Sequence, residues 1–176
     1  PCPYFGVCGG CQWQHVSYER QVTEKRRALV DALARIGRLE GPDVSTAIES
    51  PAQYGYRNKI ELAVSEHGGK LTVGFTRAGT NDVVAVDSCL LLSGKHARLP
   101  KSLAGALRFL MTRGNTRIVR ASLRVSSAGE IAVDVRTVPG PFPRALAARV
   151  LSEATGARSV TRTMVRDTGD TREIAG

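Results

Sequence analysis

The chain has 176 residues, 42% of them hydrophobic and 5% aromatic, with a formal net charge of +9. That length suits one domain, or one domain with an appended segment, and the apolar content excludes an intrinsically disordered chain. No apolar run approaches the ~18–20 residues of a membrane span, and the N-terminus lacks a signal peptide's basic, apolar and small-residue order, so a cytoplasmic protein with no membrane partner is expected.

Of the 25 basic residues 20 are arginine, spread from Arg20 to Arg172 rather than gathered in a run. This excludes a polybasic tail. A +9 excess attracts polyanions, nucleic acid above all, but an Ala/Arg/Val-rich habit of composition explains the same count, so charge needs a second feature. The chain also begins at Pro1 without an initiator methionine, which points to processing or to a piece of something longer.

The second feature stands at the start of the chain. Cys2, Cys8 and Cys11 lie within the first 11 residues, and the fourth cysteine, Cys89, is isolated. With no mark of secretion, a disulfide framework is disfavoured. The Gly9-Gly10 spacer brings two sulfurs to one face, and glycines there can take positive φ and turn N–H groups toward anionic sulfur. Three clustered thiolates plus a distant one suit a four-iron cluster, one thiolate per iron. A Cys₄ zinc site competes, but it more often pairs two close-spaced knuckles. Spacing therefore ranks iron–sulfur first, zinc second and ordinary buried cysteines third. His15 is read as a neighbour or surface residue, since four cysteines complete either site. His67 and His96 sit among polar residues and suggest nothing.

Ser17 is a plausible N-cap for a helix ending near Gly37, whose Val22, Leu29, Leu33 and Ile36 form one apolar stripe opposite Arg20, Glu24, Arg27 and Asp31. Such a stripe must be buried against something. Pro42 and Pro51 bracket a short extended piece, Val44–Ile48. Strands are expected over Arg57–Ser65, Leu71–Thr76 and Val83–Val86, the first two joined by a Glu66-His67-Gly68-Gly69 turn. A second helix is expected from about His96 to Met111, with Leu99, Leu103, Leu107 and Leu110 on one side. Arg117–Ser126 and Glu130–Val138 flank Ser127-Ala128-Gly129, a second hairpin signal. A third helix runs from the proline cluster through Ala154, closed by Gly156, before a strand over Arg158–Val165. The tail from Arg166 to Gly176 has no period and is expected to fray. The order fits an α+β fold, an antiparallel sheet with helices on one face. The expected organisation is a cysteine-rich loop over 1–16 completed by Cys89, an amphipathic helix over 17–40, and an α+β domain over 41–176.

Cys2-Pro3-Tyr4-Phe5-Gly6-Val7-Cys8-Gly9-Gly10-Cys11-Gln12-Trp13-Gln14-His15 resembles the iron–sulfur signature of bacterial 23S ribosomal RNA uracil-C5 methyltransferases. Tyr56-Arg57-Asn58-Lys59 is similar to that family's Y-R-N-K strand. Gly74-Phe75, Val83-Val84 and Cys89 resemble the segment that supplies its fourth ligand. The likeness covers residues 2–89 and is one of pattern only from residue 90. It implies Cys2, Cys8, Cys11 and Cys89 as ligands of a [4Fe-4S] cluster. It also implies a longer parent with an RNA-binding barrel, a cluster-bearing central domain and a Rossmann-type domain for S-adenosylmethionine. There a catalytic cysteine attacks uracil C6, the methyl goes to C5, and an acidic base removes the C5 proton. Here no glycine-rich donor loop follows a strand and no cysteine is left as nucleophile, so this chain alone is expected to be inactive.

Two further sets of residues bear on RNA. Four of the nine aromatics, Tyr4, Phe5, Trp13 and Tyr18, lie in the first 18 residues, and Tyr54 and Tyr56 follow. Shielding of a cluster ranks first for them, ordinary core second and stacking on RNA bases third. Arg57, Lys59 and Arg77 are candidate phosphate contacts; solvated strand faces are the plain alternative. The leading reading is thus a [4Fe-4S]-bearing, RNA-docking central portion of a 23S rRNA methyltransferase. A zinc-stabilised nucleic-acid-binding module and a ferredoxin-like electron carrier are the rivals. The +9 charge and the lone fourth cysteine count against the carrier.

Overall fold

The computed structural model describes residues 1–165 and 173–174. Leucines at helical spacing and apolar residues at alternate strand positions direct the chain into one layered core. α1 spans Tyr18–Arg35, β1 Lys59–His67, β2 Lys70–Thr76 and β3 Val83–Val84. After a 3₁₀ turn at Gly94–His96 come α2 (Leu99–Arg113), β4 (Ile118–Val125), β5 (Ile131–Thr137), α3 (Arg144–Thr155), β6 (Ala157–Val165) and β7 (Glu173–Ile174). The strands form one sheet in the order β3-β2-β1-β4-β5-β6-β7. The α+β class is what the structure shows. The expected tail otherwise lies outside the described residues.

β1 and β2 form a hairpin in which His67 faces Lys70 across Gly68 (φ 57°) and Gly69 (φ 74°). Two successive positive φ angles match the right-handed twist of the flanking strands, which is why glycines stand there. β4 and β5 pair antiparallel, as the second turn signal implies. β5 and β6 instead pair in parallel. The chain leaves β5, crosses through α3 and returns in the same direction, as a helical crossover requires. α2 and α3 pack on each other and on the sheet.

Leu99, Leu103, Leu107 and Leu110 of α2 are all buried. They meet Leu62 of β1, Val73 of β2, Leu123 of β4, Val133 and Val135 of β5, and Leu151 of α3 in one core. The helix starts at Leu99 because Pro100 is tolerated in a first turn, where its missing N–H has no intrahelical partner to lose. His96 is buried, with Nδ1 2.7 Å from the Ser93 hydroxyl, and burial with the neighbouring Lys95 lowers its pKa. The polar residues beside it in sequence conceal this.

α1 forms as expected, with the Ser17 hydroxyl accepting from the Arg20 N–H at 3.4 Å. Its stripe is not buried, however: no residue of the helix is, and Leu29 and Ile36 are 50% and 84% exposed. What ties it down is polar. Arg26 Nε donates to the Val44 carbonyl, and the Tyr18 hydroxyl accepts from the Ser50 N–H. The segment between, where an extended piece was expected, pairs with no strand. No helix among the described residues is long and apolar enough to cross a membrane.

Candidate functional site

The N-terminal loop is pinned to the sheet by backbone bonds. Gly9 N–H donates to the Thr76 carbonyl (2.9 Å) and Ala78 N–H to the Val7 carbonyl (3.0 Å), making a bridge between Cys8 and Arg77 at the end of β2. A Cβ on Gly9 would stand 3.1 Å from the Thr76 carbonyl oxygen, so this glycine serves close approach rather than the positive φ expected of it; Gly6, at φ 84°, makes the turn instead. Cys2 N–H donates to Gln14 Oε1 at 2.8 Å, closing the loop on itself.

The other side of the site comes from residues 85–92. The Tyr4 hydroxyl accepts from the Asp87 N–H at 3.0 Å across 83 residues of sequence. Cys89 N–H donates to the Ala97 carbonyl, and Leu92 N–H to the Cys89 carbonyl. Gly55 and Arg57 N–H groups donate to the Leu90 and Leu91 carbonyls, bringing the residues before β1 to the same place.

These ties bring Cys2, Cys8, Cys11 and Cys89 together around one cavity of ≈430 Å³, its open mouth included. All four are half-buried free thiols. Tyr4, Phe5, Phe75, Val86, Leu90 and Leu91 make an apolar wall; among the described residues no carboxylate lines the space, and Arg57 is the cation beside it. Gly10 N–H points at Cys8 Sγ (3.5 Å). Burial pushes the Cys8 thiol up, with the other three sulfurs adding to the rise and the Gly10 N–H opposing it. A bound metal would reverse that balance, because a coordinated thiol is deprotonated outright. Among the described residues no three His, Cys, Asp or Glu side chains are set to share one metal ion. The four cysteines border a common space. Four thiols, an apolar wall and an N–H aimed at sulfur are the donor chemistry of a metal–thiolate centre.

The remaining candidates divide. Arg57 reaches the cavity, Arg77 lies exposed where the loop meets β2, and Lys59 is exposed at the start of β1 opposite Arg124. Arg57, expected to begin a strand, sits two residues before β1, and Arg77 follows directly on the end of β2. Of the six aromatics, Tyr4 and Phe5 wall the cavity; Trp13, Tyr18, Tyr54 and Tyr56 border a second, larger groove. His15 lies against Phe5, ring centroids 5.6 Å apart, and does not line the cysteine cavity. Gln14 and Asp87, which hold the loop closed, were not singled out from sequence: neither has a local pattern that marks it.

No protein-family profile matches the chain. It is 43% identical over 99 residues to an uncharacterized RNA methyltransferase of Nitratidesulfovibrio vulgaris, which covers 56% of this chain and 21% of that one. Its relatives are RNA methyltransferases by name. Another from Halalkalibacterium halodurans is 33% identical over 114 residues, 65% of this chain and 25% of the relative. A third, from Chlorobaculum tepidum, is 48% identical over 64 residues, 36% of this chain and 13% of the relative. The chain thus spans about a fifth of the length of the curated relatives it matches. Among solved structures, the Pyrococcus abyssi tRNA (uracil-54, C5)-methyltransferase in complex with S-adenosyl-L-homocysteine has a TM-score of 0.61 at 22% identity, over 93% of this chain and 39% of that one. The two share a fold over that portion.

Proposed function

We propose that this chain is the [4Fe-4S]-bearing, RNA-docking portion of an S-adenosylmethionine-dependent RNA uracil-C5 methyltransferase acting on 23S ribosomal RNA. The observation that carries the reading is the meeting of Cys2, Cys8 and Cys11 with Cys89 around one cavity. Relatives named RNA methyltransferases, and the fold shared with part of a uracil-C5 methyltransferase, support the enzyme class. Four cysteines around one space suit a cluster, whose four irons take one thiolate each, and three of them within ten residues with one far away is a less common spacing for zinc. In this reading residues 1–16 with Cys89 hold the cluster, 17–40 carry the outer helix α1, and 41–176 are the central domain.

When bound, the cluster supplies iron–thiolate bonds that cross-link the loop to residue 89; uracil methylation needs no redox step. The chain's own residues do the rest. Tyr4, Phe5 and Leu91 keep water from the sulfurs, and Arg57 offsets part of the charge of about −2 that four thiolates give a [4Fe-4S] centre. Arg57, Lys59 and Arg77 offer phosphate contacts. All four cysteines are at the cavity, so none is free to attack uracil C6, and the methyl donor binds in another part of the parent.

Protein purified without oxygen should carry about four iron and four sulfide per chain, with a broad absorbance near ~400 nm. One zinc per chain with neither iron nor sulfide overturns the cluster assignment. RNA affinity should fall steeply between 50 and 200 mM salt, by roughly tenfold or more if three or more phosphates are neutralised. A flat salt response removes the phosphate role.

A further inference from the structure

The groove beside the cysteine cavity has a chemistry of its own. It occupies ≈1590 Å³ with its open mouth, between residues 12–18, the first turns of α1, and residues 50–56. Trp13, Tyr54 and Tyr56 line it while 40%, 41% and 59% exposed. Among the described residues none of the three rings stacks on another side chain, and neither tyrosine hydroxyl nor the indole N–H has a protein partner. These are large faces left open.

The backbone that presents them is held firmly. Gln21 Nε2 donates to the Trp13 and Val16 carbonyls at 3.1 and 2.9 Å, and the Tyr18 hydroxyl accepts from Ser50 N–H at 2.6 Å. Gly55 and Arg57, on either side of Tyr56, donate to Leu90 and Leu91. Rings held on a fixed frame lose little freedom on binding. Among the described residues no carboxylate lines the groove, and Lys25 supplies a positive charge at its α1 wall. Gln12 and Gln53 add amides that can both donate and accept.

We propose that this groove binds an unpaired stretch of RNA, with bases stacked on Trp13, Tyr54 and Tyr56 and a phosphate near Lys25. Stacking needs a free π-face, which a base inside a duplex does not offer. A proline-rich peptide also fits aromatic grooves. The carboxylate-free lining and the +9 charge favour the polyanion instead. The inference rests on the RNA-docking reading above and adds to it the location and the single-stranded form of the RNA.

Trp13 is the single tryptophan of the chain, so its emission reports on this groove. The full chain, purified without oxygen, is titrated with a labelled single strand of about twelve nucleotides and with the same sequence as a duplex, reading label anisotropy and Trp13 emission together. The single strand should quench Trp13 and bind at least about tenfold more tightly than the duplex. Tyr54→Ala/Tyr56→Ala, remote in sequence from the cysteines, should weaken single-strand binding by about tenfold or more, with thermal midpoint and iron content unchanged. Tyr54→Phe/Tyr56→Phe, which keeps both rings, should restore most of the affinity. Single-strand binding with unaltered Trp13 emission and no effect of the double alanine variant overturns the groove while leaving RNA docking intact. Absence of any binding overturns both. Tighter binding of a proline-rich peptide than of RNA, with Trp13 quenched, assigns the groove to a protein ligand and overturns the proposal.

Discussion

Cys89→Ser should lose most of its iron and melt roughly 6–12 °C below the parent chain. Serine is close to cysteine in volume, so the packing of residue 89 against the core changes little, and what is removed is a soft ligand. The other three cysteines belong to a loop whose own turns, such as Phe5 N–H to the Cys2 carbonyl, form within a few residues. Cys89 is the member that closes 78 residues of chain, counted from Cys11, and a cross-link over that span restrains the unfolded state strongly. A loss of about 3 kcal/mol in a chain of this size corresponds to the stated shift in midpoint. The same comparison after chelation separates ligation from packing. Both proteins should then melt within about 2 °C of each other. A gap that survives chelation, or iron retained in the variant, would show that Cys89 is a packing residue.

The parts of the molecule readable in advance are those with a period or a chemistry. The α2 leucines recur every three or four residues, and the helix lies where they put it. β4 and β5 alternate around a Ser-Ala-Gly turn and form the expected hairpin. The four cysteines stood out by spacing, three in ten residues and one far away, and the fold brings them to one cavity. What escaped has no local signal. Strand direction in β5–β6 is set by where α3 crosses, which no residue of either strand records. The Tyr4–Asp87 bond joins positions 83 apart. His96 is buried by the 3₁₀ turn and Ser93, although its sequence neighbours are polar.

The apolar stripe of α1 failed in a different way. Its period is genuine and the helix is real, but the inference from stripe to burial assumes that the covering surface is within the described chain. Leu29 and Ile36 stand exposed, and so do Leu39 and Ile48 beyond them. The exposed aromatics of the adjoining groove differ from this stripe. They sit among glutamines and a lysine, a lining suited to a polar, charged ligand rather than to another helix.

Gly74→Ala should cost about 1–3 kcal/mol and weaken the cysteine site with it. Gly74 lies on β2 opposite Ala63, and a Cβ there would stand 1.9 Å from the Val84 carbonyl oxygen and 2.9 Å from the Ala85 Cα. Those obstacles are backbone, so no side-chain rotation relieves them. β2 is braced on its other edge by five register pairs with β1, whereas β3 holds it by two, Phe75 to Val84 and Thr76 to Val83. The strand that gives way is therefore β3. It leads directly to Val86 in the cavity wall, to Asp87 beneath the Tyr4 hydroxyl, and to Cys89. Thermal denaturation should place Gly74→Ala roughly 2–12 °C below the parent, with iron content reduced. Gly105→Ala is the control: it is exposed in α2, nothing lies within 4 Å of its added Cβ, and the helix should gain about 0.5–1 kcal/mol. If the two variants melted alike, close approach of β3 would not be what Gly74 secures. If Gly74→Ala were destabilised yet kept its full iron, the placement of Cys89 would owe nothing to β3, and the bonds to Ala97 and Leu92 would have to hold it alone.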